Sequence, residues 1–581
     1  MTETAALLQP DKGQPATALH LVDKKGFGDW LKDQPERARQ ALAAQGFKAE
    51  GYQLAILPGE RDEWAAVLGV ANVGELSPWC LAKSAESLPQ GVYRVAGRGP
   101  GPAVLGWILG QYRFDRFREK KAQEGPRVLL TDEPARIEET ARIAEATFLV
   151  RDLVNTPAGD LGPAELQAAV EKAAGDAGAQ CRTTSGEALE AGFPMVAAVG
   201  RAAAAERAPR LIELEWGDRR HPRIALVGKG VCFDSGGLDI KNAAGMRLMK
   251  KDMGGAAHAL ALARLAMQAN LPVRLHLLIP AVENAVSGAA FRPGDVLASR
   301  KGLSVEVTNT DAEGRLILAD ALARAAEEEP GLILDFATLT GAARVALGPD
   351  LPALFASDDA LAENLLEGGR AVSDPLWRMP LWPHYEEMLA SDVADVGNCA
   401  DGPMAGAVTA ALFLRKFVPE GTPWAHVDTF AWRQSARPGR PKGGDALGLA
   451  DHREVHPPGE VEPREAVPGE EREAADPVGR RPAGLPRDDG EEHRLPQVRR
   501  RSRAHHRLRS RAGGGNRQRG AGTASRTFPP ALPGAGIVDQ RQLRHLDRAA
   551  GGQPAGTALR RLHLAGFHAR RGASVHQPHD L

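Results

Sequence analysis

Residues 223–233 read RIALVGKGVCF, and DSGG follows at once from Asp234. The run is apolar and partly β-branched, as a strand covered on both faces tends to be. Similar runs recur as VRLHLLIPAV (273–282), LSVEVTNT (303–310) and GLILDFATL (331–339). Between them lie GGAAHALALARLAMQA (254–269) and ILADALARAAEEE (317–329), rich in Ala and Leu and helical in character. Strand followed by helix, repeated, predicts an α/β fold: a mixed, mostly parallel central sheet flanked by helices. In such sheets ligands bind beyond the carboxyl ends of strands.

Two of these strands run into acids. RIALVGKGVCF leads to Asp234, and LSVEVTNT leads to DAEGR, which carries Asp311 and Glu313. Between them, MRLMKKDMGGAAHALALA (246–263) sets Asp252 before a glycine pair and a helix. Three carboxylate-bearing loops are thus expected to converge with Lys229, Lys241 and Arg315. Acidic oxygens are hard ligands for divalent cations, and carboxylates within about 4 Å of one another repel strongly without metal. Four carboxylates without histidine suit a two-metal site with bridging oxygens. Asp311 and Glu313, two apart in an extended segment, are expected to face one side.

Each signal alone has a plainer use. Asp beside Gly-Gly is usually a turn or a cap, and Asp-Ala-Glu-Gly fits a helix start where the dipole favours acids. A lone Lys241 reads as a surface lysine, and Arg315 as half of an ion pair. GKG lacks the spacing of a phosphate-binding loop. The order of the signals at successive strand ends is what argues for metal. Lys241 then suits an oxyanion, and Arg315 an anion held bidentately. Lys229, between two glycines that admit close backbone approach, suits a neutral amine beside a cation.

The chain has 581 residues and a formal net charge of -1, with 25% charged residues, so no global charge points to nucleic acid or membrane. No run of about 18 apolar residues is present, and MTETAALLQPDKGQPATALH lacks the basic start and apolar core of a signal peptide. Four scattered cysteines (Cys80, Cys181, Cys232, Cys399) fit free thiols in a reducing cytoplasm. A smaller N-terminal α/β domain is expected over 1–133, with GYQLAILPG and GVYRVAG as strands and WAAVLGVANV and GPAVLGWILGQYRFDRF as helices. ARIEETARIAEATFLVRDLVN predicts a linker helix over 134–156, ended by Pro157. The catalytic domain is expected over 157–449.

Composition changes sharply after that. From Asp451 onward there is no Lys, Met, Cys, Trp or Tyr, and ten of the sixteen His lie there. Only QRQLRHLDRAA and TALRRLHLAGF suggest brief helical turns. The expectation for 450–581 is a low-complexity, disordered tail, because so little apolar area cannot offset the entropy of ordering. An Arg-rich tail could instead bind nucleic acid, although its early stretch is acidic and no stacking aromatics accompany it. The missing residue types also match GC-rich DNA read out of frame.

NTDAEGRL, with VGKGVCFDSGGLDIK and MKKDMGGAA, resembles the leucine aminopeptidase (cytosol aminopeptidase) family of dinuclear metallo-exopeptidases. RDLVNTPAGDLGPAEL, ENAVSGAAFRPGDVL, DFATLTGAARVALG, SDVADVGN and WAHVDTFAW extend the resemblance from about Arg151 to Leu449. It implies two divalent ions, Mn or Zn. Lys229 and Asp252 would hold the tighter one, Asp234 both, Asp311 the looser one, and Glu313 would bridge. Lys241 would act as the electrophile, and Arg315 would hold a bicarbonate that serves as general base toward a metal-bridging water. Met249, Thr338, Leu339 (through its backbone) and Gly341 would line the pocket for the first residue, which their apolar character fits to leucine-like side chains. Peptides with a free N-terminus are the implied substrates, the cytoplasm the implied location, and a homohexamer the implied assembly. One departure stands out: where family members continue into a C-terminal helix, this chain reads ADHREVHPPGE. The alternatives are a nucleic-acid-binding family member, or an inactive product with an altered C-terminus.

Overall fold

A computed structural model describes residues 4–61, 63–119 and 125–448. The expectations for the tail, including its disorder, lie outside the described residues. So does the departure from the family's C-terminal helix.

The N-terminal part holds strands β1 (Leu8–Pro10), β2 (Thr17–Val22), β3 (Leu54–Pro58), β4 (Trp64–Gly69), β5 (Gly91–Val95) and β6 (Arg127–Thr131). Their spatial order is β1-β6-β5-β2-β4-β3, and every pairing is parallel except β3 with β4. Here one expectation fails. WAAVLGVANV is not a helix: its first six residues form β4, paired with β2 on one side and β3 on the other. Short apolar runs do not separate helix from strand by period, and Ala66, Val67 and Leu68 are buried completely between two neighbours. The other expected helix is real but shorter, Val104–Leu109, and stops at Gly110.

The helix Ile137–Asn155 joins this sheet to the rest. Thr156 leaves the helix with an extended backbone (ψ 130), as the residue before Pro157 must. Arg151, wholly buried in this helix, bonds Asp445 at 2.9 Å and the Gly439 carbonyl at 2.8 Å, while its guanidinium lies 5.4 Å over the Tyr112 ring.

The larger part continues with β7 (Gln180–Ser185), β8 (Arg210–Trp216), β9 (Arg223–Gly228), β10 (Gly230–Asp234) and β11 (Arg274–Asn284). A short pair, β12 (Val296–Ala298) and β13 (Ser304–Glu306), precedes β14 (Leu332–Ala337), β15 (Ala353–Ala356) and β16 (Trp377–Arg378). Then come β17 (Val396–Gly397), which pairs with β13, and β18 (Trp424–Asp428). The main sheet runs β16-β15-β18-β14-β9-β11-β8-β7, with β10 also on β11. Five of its pairings are parallel and three antiparallel, so the sheet is mixed and mostly parallel.

Both faces are covered. Along β11, Leu275, Leu277 and Ile279 enter one core cluster and Leu278 enters the other. That is the alternation a strand imposes on its side chains. The helix Gly254–Gln268 packs on one face through Ala256 and Leu260, and the helix Glu313–Ala326 on the other through Leu316 and Ile317. The first helix approaches so closely that a Cβ on Gly255 would stand 2.1 Å from the Phe336 carbonyl. β9 lies between β14 and β11, so the chain leaves it in opposite directions and opens a crevice at its carboxyl end.

Candidate metal centre

Four strand ends meet at that crevice. β9 stops at Gly228 and is followed by Lys229; β10 ends on Asp234; β14 is followed by Thr338; β18 ends on Asp428. All four residues line one cavity of about 980 Å³, with Lys241, Met249, Asp252, Asp311, Glu313, Arg315, Leu339 and Gly341. Every residue singled out from the sequence therefore opens on the same space.

The acids divide into three and one. Asp234, Asp252 and Glu313 each offer a carboxylate oxygen, and these oxygens lie within 4.8 Å of one another. All three residues are at most 2% exposed. Asp311 stands apart, its side chain 35% exposed and paired with Lys241. The extended segment expected around Asp311 and Glu313 does not exist. Residues 310–311 form a turn and Glu313 is the first residue of the helix Glu313–Ala326. A helix start favours an acid, and both side chains line the same cavity.

Two lysines answer the acids. Lys229 Nζ lies 2.7 Å from Asp252 and 2.9 Å from Glu313. Lys241 Nζ lies 2.6 Å from Asp234 and also contacts Asp311. Burial opposes the charge on both ammoniums, but the surrounding carboxylates outweigh it and raise both pKa values. The carboxyls split. Burial raises Asp252, yet Lys229 and Lys251 overcome this and hold it at about 2. Burial and Asp234 push Glu313 up to about 8 against Lys229. Arg315, 6% exposed, donates to the Asn398 carbonyl at 2.8 Å. A Cβ on Gly314 would meet the Lys229 chain at 2.5 Å, so the small residue between Glu313 and Arg315 makes room for that lysine.

The donor set fits divalent cations. Glu313 Oε2 is buried with no hydrogen-bond partner among the described residues, and Asp252 Oδ2 has only the Lys229 ammonium beside it. Carboxylate oxygens left without hydrogen bonds in this way are hard donors suited to a divalent cation.

Several supporting residues went unassigned in the sequence. Asn284, the last residue of β11, donates to Asp234 at 2.9 Å and to the Thr310 carbonyl at 3.1 Å. Asn398 accepts from the backbone of Thr308 and Asn309 and so fixes the strand leading to Asp311. Thr338, expected in the pocket, takes a further part: its Oγ1 donates to Asp252 Oδ1 at 2.8 Å. Asp428 accepts from the backbone nitrogens of Leu339 and Thr340 and from Thr340 Oγ1 at 2.6 Å. Lys251 is buried against Asp252, and burial lowers its pKa. The available signal was position: Asn284 and Asp428 each close a strand of the main sheet.

Comparison with known proteins agrees with this geometry. Residues 148–450 match the model of the cytosol aminopeptidase family, catalytic domain. The chain belongs to the cytosol aminopeptidase family. Residues 17–130 match the N-terminal domain of M17 aminopeptidases. A probable cytosol aminopeptidase of Syntrophotalea carbinolica is 42% identical over 363 residues, 60% of this chain and 72% of that protein. The crystal structure of cytosol aminopeptidase from Coxiella burnetii aligns with a TM-score of 0.72 and 45% identity, covering 76% of this chain and 97% of that one. The bottromycin maturation enzyme BotP, solved in complex with Mn, aligns at 0.67 with 33% identity, covering 75% and 98%. The chain is a metal-dependent aminopeptidase of mixed α/β fold, and peptides are its substrates. No described helix is long and apolar enough to cross a membrane.

Proposed function

We propose that the chain is a cytoplasmic, dinuclear aminopeptidase that removes leucine-like residues from peptides with a free N-terminus. The observation that carries this reading is the meeting of Asp234, Asp252 and Glu313 within 4.8 Å, faced by Lys229 and Lys241 in one cavity. Lys229, Asp234, Asp252, Asp311 and Glu313 would hold two divalent ions, Mn or Zn. Bound there, such ions supply Lewis acidity and a nucleophile at neutral pH.

The side chains do the rest. Lys241 is partly open to the cavity, with 15% of its side chain exposed, and its ammonium offers charge to the oxygen that becomes an oxyanion when a peptide carbonyl is attacked. Arg315, held by Asn398, would hold a bicarbonate, which could supply a proton acceptor there. Met249, Thr338, Leu339 and Gly341 surround the first side chain, and Asp428 fixes Leu339 and Thr340 in place. The free amine of the substrate goes to the acidic end of the cavity, which makes the enzyme an exopeptidase. Residues 1–133 form an accessory domain, 134–156 the linker helix, and 157–449 the catalytic domain, assembled as a homohexamer. The test is release of p-nitroaniline from leucine p-nitroanilide. Activity is expected to vanish on chelation, return with Mn²⁺, and be lost with about one metal in Glu313→Ala at unchanged size. Metal-loaded, folded protein without turnover on any free-amine substrate would overturn it.

A further inference from the structure

The cavity has a second, cationic end that the reaction above does not use. Lys251, 5% exposed, and Arg344, on the helix Gly341–Leu347, both line it. They share one aromatic ring: Lys251 Nζ lies 5.2 Å and Arg344 Cζ 4.8 Å from the centroid of Phe430. Among the described residues neither side chain donates a hydrogen bond, and Arg344 has no carboxylate partner. The nearest acid to Lys251 is Asp252, at 3.6 Å. That same Asp252 oxygen is already bonded by Thr338 at 2.8 Å. This differs from Lys229 and Lys241, each seated between two acids.

A ring face attracts cations, so Phe430 holds two positive charges without neutralising either. The ring's edge is itself slightly positive. Low-dielectric walls around such a group focus its field into the cavity. A metal-holding Asp252 would also be less available to Lys251. The cavity thus offers an acidic end to an amine and, beside it, a cationic end to an anion. Lys251 directly precedes Asp252, whose carboxylate lies 3.6 Å from its ammonium, so the two ends adjoin.

We propose that Lys251 and Arg344 form a carboxylate-binding subsite for the first residue of the substrate. The enzyme then releases N-terminal glutamate and aspartate as well as leucine-like residues. The inference rests on the aminopeptidase reading of the site and adds a substrate class to it.

The test uses the metal-loaded full chain with glutamyl and leucyl p-nitroanilides, which carry no C-terminal carboxylate. Wild type is expected to hydrolyse both, with kcat/KM for the glutamyl substrate within about ten-fold of the leucyl one, a gap of one charge-assisted contact. In Lys251→Met and in Arg344→Met the glutamyl-to-leucyl ratio is expected to fall at least about ten-fold, with metal content equal to wild type. High salt should narrow the difference. A ratio unmoved in both variants overturns the proposal and leaves Phe430 packing as the role of these cations. So does a wild type that cleaves the leucyl substrate and rejects the glutamyl one. So does an effect confined to leucyl-glycine against leucinamide, which would place the anion at the dipeptide's far end. If no substrate is turned over, the aminopeptidase reading itself fails. Calorimetric binding of L-glutamate against L-leucine then decides the subsite separately: weaker glutamate binding in both variants supports it, and equal binding in wild type and variants ends it.

Discussion

Metal loading should release close to two protons at neutral pH, and the number should fall with rising pH. Lys229 shares its ammonium between Asp252 and Glu313 at 2.7 and 2.9 Å. Burial, with Asp234 beside it, raises the Glu313 carboxyl to about 8. To ligate, Glu313 must be a carboxylate and Lys229 an amine. At pH 7 a group with a pKa of about 8 is roughly 0.9 protonated. Loading therefore frees about 0.9 proton from Glu313 and about one from Lys229. At pH 9 the Glu313 share drops to about 0.1, leaving about one. Since protons leave on binding, affinity climbs with pH, and the slope of log affinity against pH equals the count: near 2 at pH 7 and near 1 at pH 9. Titration calorimetry of Mn²⁺ into the metal-free chain, in buffers of different ionisation enthalpy, counts the protons directly. The count belongs to the cluster as a whole, so variants assign it. Lys229→Met should lower it by about one at pH 7, and Glu313→Gln should remove the change between pH 7 and pH 9. A count near zero at pH 7, or one that stays constant to pH 9, refutes Lys229 and Glu313 as ligands.

Other outcomes follow from the same geometry. Thr338→Val loses the bond to Asp252 Oδ1 and should weaken metal binding by about 10- to 100-fold in the same titration. Asp428→Asn leaves the backbone of Leu339 and Thr340 short of acceptors; a cost of about 1–3 kcal/mol should appear as lower kcat/KM for leucine p-nitroanilide at unchanged metal content. Asp320 is raised to about 6 by burial, although it accepts from the backbone of Met195, Val196 and Arg300. Its folded form keeps the proton longer than the unfolded chain, so stability is full below about pH 4 and declines by about 3 kcal/mol as pH rises through about 6. Denaturant unfolding at pH 4.5 and pH 7 should show about 2 kcal/mol of that decline in wild type and a smaller one in Asp320→Asn. The described residues all lie in one compact unit that ends before Arg472, so a chain stopped after Glu471 should keep its Mn²⁺-dependent turnover, and size-exclusion chromatography should report its assembly state.

What the sequence disclosed, and what it hid, follows from the range of each interaction. The main sheet was legible because β9, β11 and β14 are covered on both faces, and that shows as unbroken apolar runs. β4 was misread for the same reason: between β2 and β3 its six residues are as apolar as a buried helix, and the parallel pairing that places it inside the sheet comes from β2, far along the chain. The acids were legible because each sits at a strand or helix boundary that glycines mark. Their arrangement was not. Asp311 and Glu313 are separated by a turn that depends on Asn398, which lies 85 or more positions away and accepts from the backbone at Thr308 and Asn309. Lys251 was not singled out in the sequence. It became a feature of the cavity only because β18 delivers Phe430 to it from a distant part of the chain. The pattern along a chain reports which residues a loop must carry. Which of them share a charge is settled where strands from remote segments end side by side. In this protein that junction joins an acidic end suited to an amine and a cationic end suited to a carboxylate, and the glutamyl-to-leucyl ratio measures whether the enzyme uses both.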